Sequence, residues 1–234
     1  MKLFFDFPLD SGRSNLAGRT KMNVLTKPIV LLALSVAMGG AAQAAPFQNG
    51  SFETGPAAGS FVNLPAGNTQ ITGWTVTGAN IDYIGTYWTA ADGSRSLDLS
   101  GGSAGGVQQA FDTQAGHVYR VSFSLAGNPT CAPTIKTVQV QATGGASTNY
   151  TFDVTGHSQA SMGWTTQIYT FTATGSTSTL SFTSLDNTPC GPALDNVVVT
   201  DVTPAPVPTL SQWGLVGLAG LLGFAALRGR RRNR

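Results

Sequence analysis

An all-β fold, an antiparallel β-sandwich of the jelly-roll kind, is what the middle of this 234-residue sequence predicts. Three observations carry that expectation. Apolar residues recur at every second position in many short runs, which lines one face of a strand. Glycine-rich breaks separate the runs at the spacing of turns. Charged residues make up only 10% of a chain rich in Gly, Ser and Thr, unlike the Lys- and Glu-rich make-up of helical bundles and disordered polyelectrolytes.

The clearest run is 117–126, where Tyr119, Val121, Phe123 and Leu125 face inward and Arg120, Ser122 and Ser124 outward. Val138 and Val140 alternate with Gln139 and Gln141, and the pattern repeats in Tyr150, Phe152 and Val154. Tyr169, Phe171 and Ala173, then Leu180 with Phe182, then Val197 with Val199, continue it. Breaks fall at Asp92-Gly93, Gly101-Gly102, Gly105-Gly106 and Gly144-Gly145. No stretch between 45 and 203 carries apolar residues at helical spacing over three turns. These limits define one domain, with three basic residues against nine acidic ones, a net charge of −6. Such a surface repels phosphate backbones and argues against nucleic acid as a partner.

The flanks read as addresses. Residues 29–38 (IVLLALSVAM) form an apolar run too short to span a bilayer but of the length of a signal-peptide core. Lys27 precedes it and Ala42-Gln43-Ala44 offers small residues to signal peptidase. A signal peptide is therefore expected over 22–44, with residues 1–21 a polar, over-extended start ahead of Met22 or, as the alternative, a real N-terminal extension. Residues 204–209 are a Pro-rich spacer running into the sorting motif. The apolar stretch 210–227 would make a helix about 27 Å long. That barely crosses a hydrocarbon core of about 30 Å. Trp213 suits the membrane interface, and the basic tail 228–234 holds the C-terminus on the cytoplasmic side, with the domain outside.

The string Val207-Pro208-Thr209-Leu210-Ser211-Gln212-Trp213-Gly214, with its Gly-rich span and terminal arginines, resembles the IPTL-type C-terminal sorting domain of Gram-negative bacteria. Val207 stands where isoleucine is usual. The resemblance implies processing by an exosortase-type membrane transpeptidase; without it the segment is a plain single-pass anchor. The domain also carries Asn49-Gly50-Ser51-Phe52-Glu53, then Gly73-Trp74-Thr75-Val76, Ile81-Asp82-Tyr83-Ile84-Gly85 and Tyr87-Trp88. Ser96-Leu97-Asp98-Leu99, Gly127-Asn128-Pro129 and Leu194-Asp195-Asn196-Val197 follow in order. Together these resemble the choice-of-anchor C family of bacterial surface proteins and the related DUF642 cell-wall proteins of plants. That likeness implies a galactose-binding-like jelly roll associated with extracellular polysaccharide.

Cys131 and Cys190 lie in matching Asn- and Pro-rich contexts. An exported chain meets an oxidising compartment, so a disulfide between them is the expectation over a metal site or a free thiol. Glu53 and Asp195 are the candidate metal ligands. Their motifs resemble those of family 4- and 22-type carbohydrate-binding modules, which implies a structural Ca²⁺ tying the first strand to the last. The phase of Val197 and Val199 would point Asp195 inward, where hydrogen bonds to backbone or an ion pair are the alternative. Tyr87 and Trp88, beside the Asp92-Gly93 turn, are the expected exposed sugar-stacking pair, with packing into the core as the alternative. Asp82 and Asp98, with Gln108 and Gln109, are expected to hold sugar hydroxyls, while Trp74 and Tyr83 belong to the core.

Gly101-Gly102-Ser103-Ala104-Gly105 matches the nucleophile-elbow string, but that elbow needs a helix after it and a strand-like run follows. The expectation is a non-enzymatic domain that binds polysaccharide. A structural matrix component acting through protein contacts is the alternative, and a carboxylate-based hydrolase is a distant third.

Overall fold

The computed structural model describes residues 45–205, 214–222 and 228. The expected start, signal peptide and sorting motif up to Trp213 lie outside the described residues. In chain order the strands are β1 (Phe61–Pro65), β2 (Thr75–Gly78), β3 (Asn80–Ile84), β4 (Ser96–Asp98), β5 (Gly105–Asp112) and β6 (Val118–Gly127). They continue with β7 (Ile135–Ala142), β8 (Thr148–Asp153), β9 (Thr165–Thr172), β10 (Thr177–Ser184) and β11 (Pro192–Asp201). One sheet has the order β1-β3-β4-β11-β6-β9 and the other β2-β5-β10-β7-β8. Each neighbouring pair is antiparallel. The predicted two-sheet sandwich is what the chain forms.

Alternation drives the packing, because one face of each sheet must leave water. From the six-stranded sheet Tyr83, Leu97, Val121, Phe123, Leu125 and Leu194 point into the core, and from the other Val107, Val138, Val140, Leu180 and Phe182 meet them. Trp74 sits at the aromatic centre, with ring centroids 5.7 Å from Phe47, 5.2 Å from Phe52 and 6.3 Å from Phe182. Trp74 and Tyr83 are buried, as the sequence predicts.

Two expectations need correction. Residues 49–53 do not open a strand; they form a turn in which Asn49 and Phe52 both take positive φ. The Asn49 side chain bonds Thr54 twice and the Thr72 carbonyl, while its own carbonyl accepts from Trp74 Nε1 at 2.9 Å. The motif is a knot that positions Trp74. Second, Asp195 does not share a face with Val199. A bulge shifts register between Asp195 and Val198, with Asn196 at φ 49°, so the phase slips by one residue. Leu194 faces core Leu97 and Leu125, whereas Asp195 pairs with Ser124 on the outer face. Of the expected span 210–227 only 214–222 are described, as helix; the rest lies outside the described residues, among which no helix is long and apolar enough to cross a membrane.

Candidate functional site

Strand register sets the floor of a cleft on the outer face of the six-stranded sheet. Asn63 on β1 faces Asp82 on β3, Asp82 faces Asp98 on β4, and Asp98 faces Ala193 on β11. One polar row thus crosses three strands and ends on a small residue. Gly101 lies against it, where a Cβ would come within 2.3 Å of Asn63 Nδ2 and 2.8 Å of Asp82 Oδ1. Only glycine leaves this cleft open.

The segment after β3 makes one wall. Tyr87 is half-buried and packs edge-on against exposed Phe61, with centroids 5.4 Å apart at 72°. The loops bearing Asn128, Thr130, Pro189 and Cys190 make the other. Cys131 and Cys190 are joined, with Cα atoms 5.8 Å apart, so the expected disulfide is present and braces this wall. Beneath it the buried Lys136 donates Nζ hydrogen bonds to the carbonyls of Cys131 (2.8 Å) and Cys190 (2.7 Å). The cleft volume is about 270 Å³.

The floor is electrostatically loaded. Asp98 is wholly buried and accepts from Asn128 Nδ2 (2.8 Å), Ser100 N and Gly191 N. Burial outweighs these bonds and, with Asp82 adding repulsion, pushes its carboxyl up to about 7. Asp82 is raised by partial burial, against one bond from Asn63 Nδ2 at 2.8 Å. Burial lowers the Lys136 ammonium, opposed by Asp186 and Asp98.

Tyr87, Asp82 and Asp98 therefore come together in one cleft, with Asp98 buried beneath its floor and bonded by Ser100, Asn128 and Gly191. Trp88 does not: it is 4% exposed, with Nε1 donating to Ser96 Oγ at 2.8 Å. Its ring packs 5.5 Å from Tyr87 and supports it. Gln109 is buried and bonded to the Gln48 backbone, and Gln108 lines a groove on the opposite sheet. Sequence reasoning missed Phe61 and Thr130, which line the cleft, and Asn63, which bonds Asp82 from β1. Register alone brings Phe61 and Asn63 to this face, and the matching Asn-Pro contexts of the two cysteines pointed to a disulfide, not to a cleft wall.

Glu53 and Asp195 grip one loop from two sides. Glu53 accepts from Ser94 N, Ser94 Oγ and Arg95 N, each at 2.8 Å. Burial works to raise its pKa, but these bonds prevail and lower it. Asp195 Oδ2 accepts from Ala91 N (2.7 Å) and Asp92 N (2.9 Å), and Oδ1 from Asn196 N. Burial still lifts its carboxyl to about 7, with the nearby Asp92 charge adding to the rise. Hard carboxylate oxygens suit Ca²⁺. Among the described residues no three His, Cys, Asp or Glu gather at ligand distance, so loop carbonyls or water would have to complete the shell. The glycine string 101–105 links β4 to β5 with no helix after it, so its serine is on no nucleophile elbow.

Among solved structures, TmCBM61 in complex with β-1,4-galactotriose is similar at TM-score 0.42 and 16% identity, over 67% of this chain and 98% of that one. The CBM22-1 xylan-binding domain of Paenibacillus barcinonensis Xyn10C gives 0.40 and 21%, over 64% and 99%. A family 35 carbohydrate-binding module of Clostridium thermocellum gives 0.40 and 14%, over 60% and 99%. Halomucin of Haloquadratum walsbyi is 32% identical over 199 residues, which is 77% of this chain; the chain spans only 2% of that curated relative's length. Residues 205–232 match the IPTL-CTERM motif. Residues 45–200, two thirds of the sequence, match the model described as Protein of unknown function (DUF642), and the chain belongs to that family.

Proposed function

We propose that the sandwich binds extracellular polysaccharide in the cleft floored by Asp82 and Asp98, and that the terminal segments deliver it outside the cytoplasm. One observation carries the reading: the fold gathers two accessible aromatic rings, Phe61 and Tyr87, beside Asp82 and Asn128 in one open cleft, with Asn63 bonding Asp82 from β1. Pyranose C–H faces pack on aromatic rings, and acids and amides bind the hydroxyls. No nucleophile elbow accompanies them, and the reading is of a binding domain rather than an enzyme.

The sorting motif supports export to the surface, with signal peptidase acting at the start and an exosortase-type enzyme near Pro208. The 210–227 stretch would hold the chain in the membrane until that cut. A Ca²⁺ held by Glu53 and Asp195 would stiffen the Ala91–Arg95 loop and offset the repulsion between Asp92 and Asp195.

The test is retention of the full chain on immobilised β-1,4-galactan, xylan and β-1,3-glucan, with Tyr87→Ala as control. Loss of stacking by one ring costs about 1 kcal/mol, roughly a fivefold drop in affinity. Retention on none of the glycans would favour the structural matrix role instead.

A further inference from the structure

The cleft has no cation of its own. None of its lining residues is Lys, Arg or His. The nearest buried ammonium, Lys136, is spent on the Cys131 and Cys190 carbonyls. Arg95 lies over the Tyr83 ring, 5.9 Å from its centroid, on the core-facing side of β3. Two carboxylates meanwhile stand directly opposite each other, Asp82 on β3 and Asp98 on β4. Like charges so placed repel, and neither has a salt-bridge partner among the described residues.

The unused hydrogen-bonding capacity is also one-sided. Asp82 Oδ1 accepts from Asn63 Nδ2, while its other oxygen has no partner among the described residues. The Gly101 carbonyl faces the same space, with one long bond of 3.2 Å from Asn63. The side-chain oxygen of Asn128 is taken by Thr130, through N and Oγ1. What the cleft offers a ligand is chiefly acceptors with a negative potential.

From this geometry we infer that the cleft selects glycans presenting hydroxyl donors and rejects polyanionic ones, with Asp82 as the residue that sets the discrimination. The inference rests on the polysaccharide reading above and narrows it to a ligand class. A neutral ring brings O–H donors to Asp82 and the Gly101 carbonyl. A uronate or sulfate brings a further anion beside Asp82, in a cleft whose lining offers it no cation, which costs several-fold to a hundred-fold in affinity at low salt.

The test compares β-1,4-galactan and β-1,3-glucan before and after oxidation of their C6 hydroxyls to carboxylates, which changes charge while keeping linkage. Binding of the full chain is measured by isothermal titration at 20 mM and 500 mM NaCl. The neutral form is expected to bind at least tenfold more tightly at low salt, and the ratio to shrink at high salt. In Asp82→Asn, which keeps the side-chain shape and an acceptor oxygen, the ratio should fall at least threefold. Equal affinity for neutral and oxidised forms overturns the selectivity alone, as does an unchanged ratio in Asp82→Asn. Failure of both neutral glycans to bind at either salt removes the polysaccharide reading itself.

Discussion

Opening the Cys131–Cys190 bond should cost stability without dissolving the cleft wall it braces. The bond closes a loop of 59 residues in sequence separation. The chain-entropy relation then gives about 4 kcal/mol, lost mainly through a freer unfolded chain. The folded loops have other anchors. Lys136 holds both cysteine carbonyls, Asp98 holds Asn128 and the Gly191 N–H, and Asp186 holds the Thr137 N–H at 2.8 Å. Cys131→Ser suits the exposed end, and Cys190→Ala suits the buried one. For a domain of this size the urea dependence is about 2 kcal/mol per molar, so the unfolding midpoint of the double variant should fall by about 2 M. Glycan affinity should stay within about threefold of the parent, an allowance of roughly 0.7 kcal/mol. A midpoint drop under 0.5 M, or loss of binding while the fold persists, would refute the division of labour between bond and anchors.

The remaining expectations concern charge, backbone and metal. Asp98 and Asp195 sit at about 7 in the fold against a reference of 3.8, so between about pH 4 and 7 the folded chain binds more protons than the unfolded one. Their contribution is present below pH 4 and lost as pH rises through 7, while Glu53 and Asp201 are lowered and act in the opposite sense in acid. Melting in a chelator should therefore be highest near pH 4–5 and fall by several kcal/mol of stability towards pH 8; a curve flat or rising from 5 to 8 contradicts this. Gly50→Ala would place a Cβ 1.8 Å from the Val197 carbonyl, and Val197 N already bonds Gly50 O at 2.9 Å. The clash is with a backbone carbonyl rather than a flexible side chain and should cost about 3 kcal/mol or more, read as a lower melting temperature or loss of soluble protein. If Ca²⁺ binds at Glu53 and Asp195, saturation at a hundredfold over Kd stabilises by about 2.7 kcal/mol, raising the melting temperature by about 5–10 °C at neutral pH. Asp195→Asn should abolish that rise, and an unchanged melting point of the parent in millimolar Ca²⁺ would remove the ion.

Much of the architecture is legible in the order of the residues. Period-two alternation depends only on which side chains avoid water, and it marks the interior of β6, β7, β9 and β10 correctly. Paired cysteines in an exported chain announce their bond, and Trp74 and Tyr83 announce their burial. The same rule fails at Asp195 because one extra residue at Asn196 inverts every face downstream, and a bulge has no signature in alternation alone. It fails at Trp88 because a large ring beside a turn is equally consistent with a stacking platform and a buried support.

Composition and local pattern thus determined the class of fold, the disulfide and the C-terminal sorting motif, because those follow from hydrophobicity, paired cysteines and a local string of residues. The cleft was decided by tertiary structure. Asn63, Asp82, Asp98 and Gly101 come from separate strands and a loop, and only cross-strand register sets them side by side. The Asn49–Glu53 string shows both halves: its residues stand out in the sequence, yet its work, tying Trp74 and the Ser94–Arg95 loop to the core, exists only once distant backbone groups arrive to be bonded.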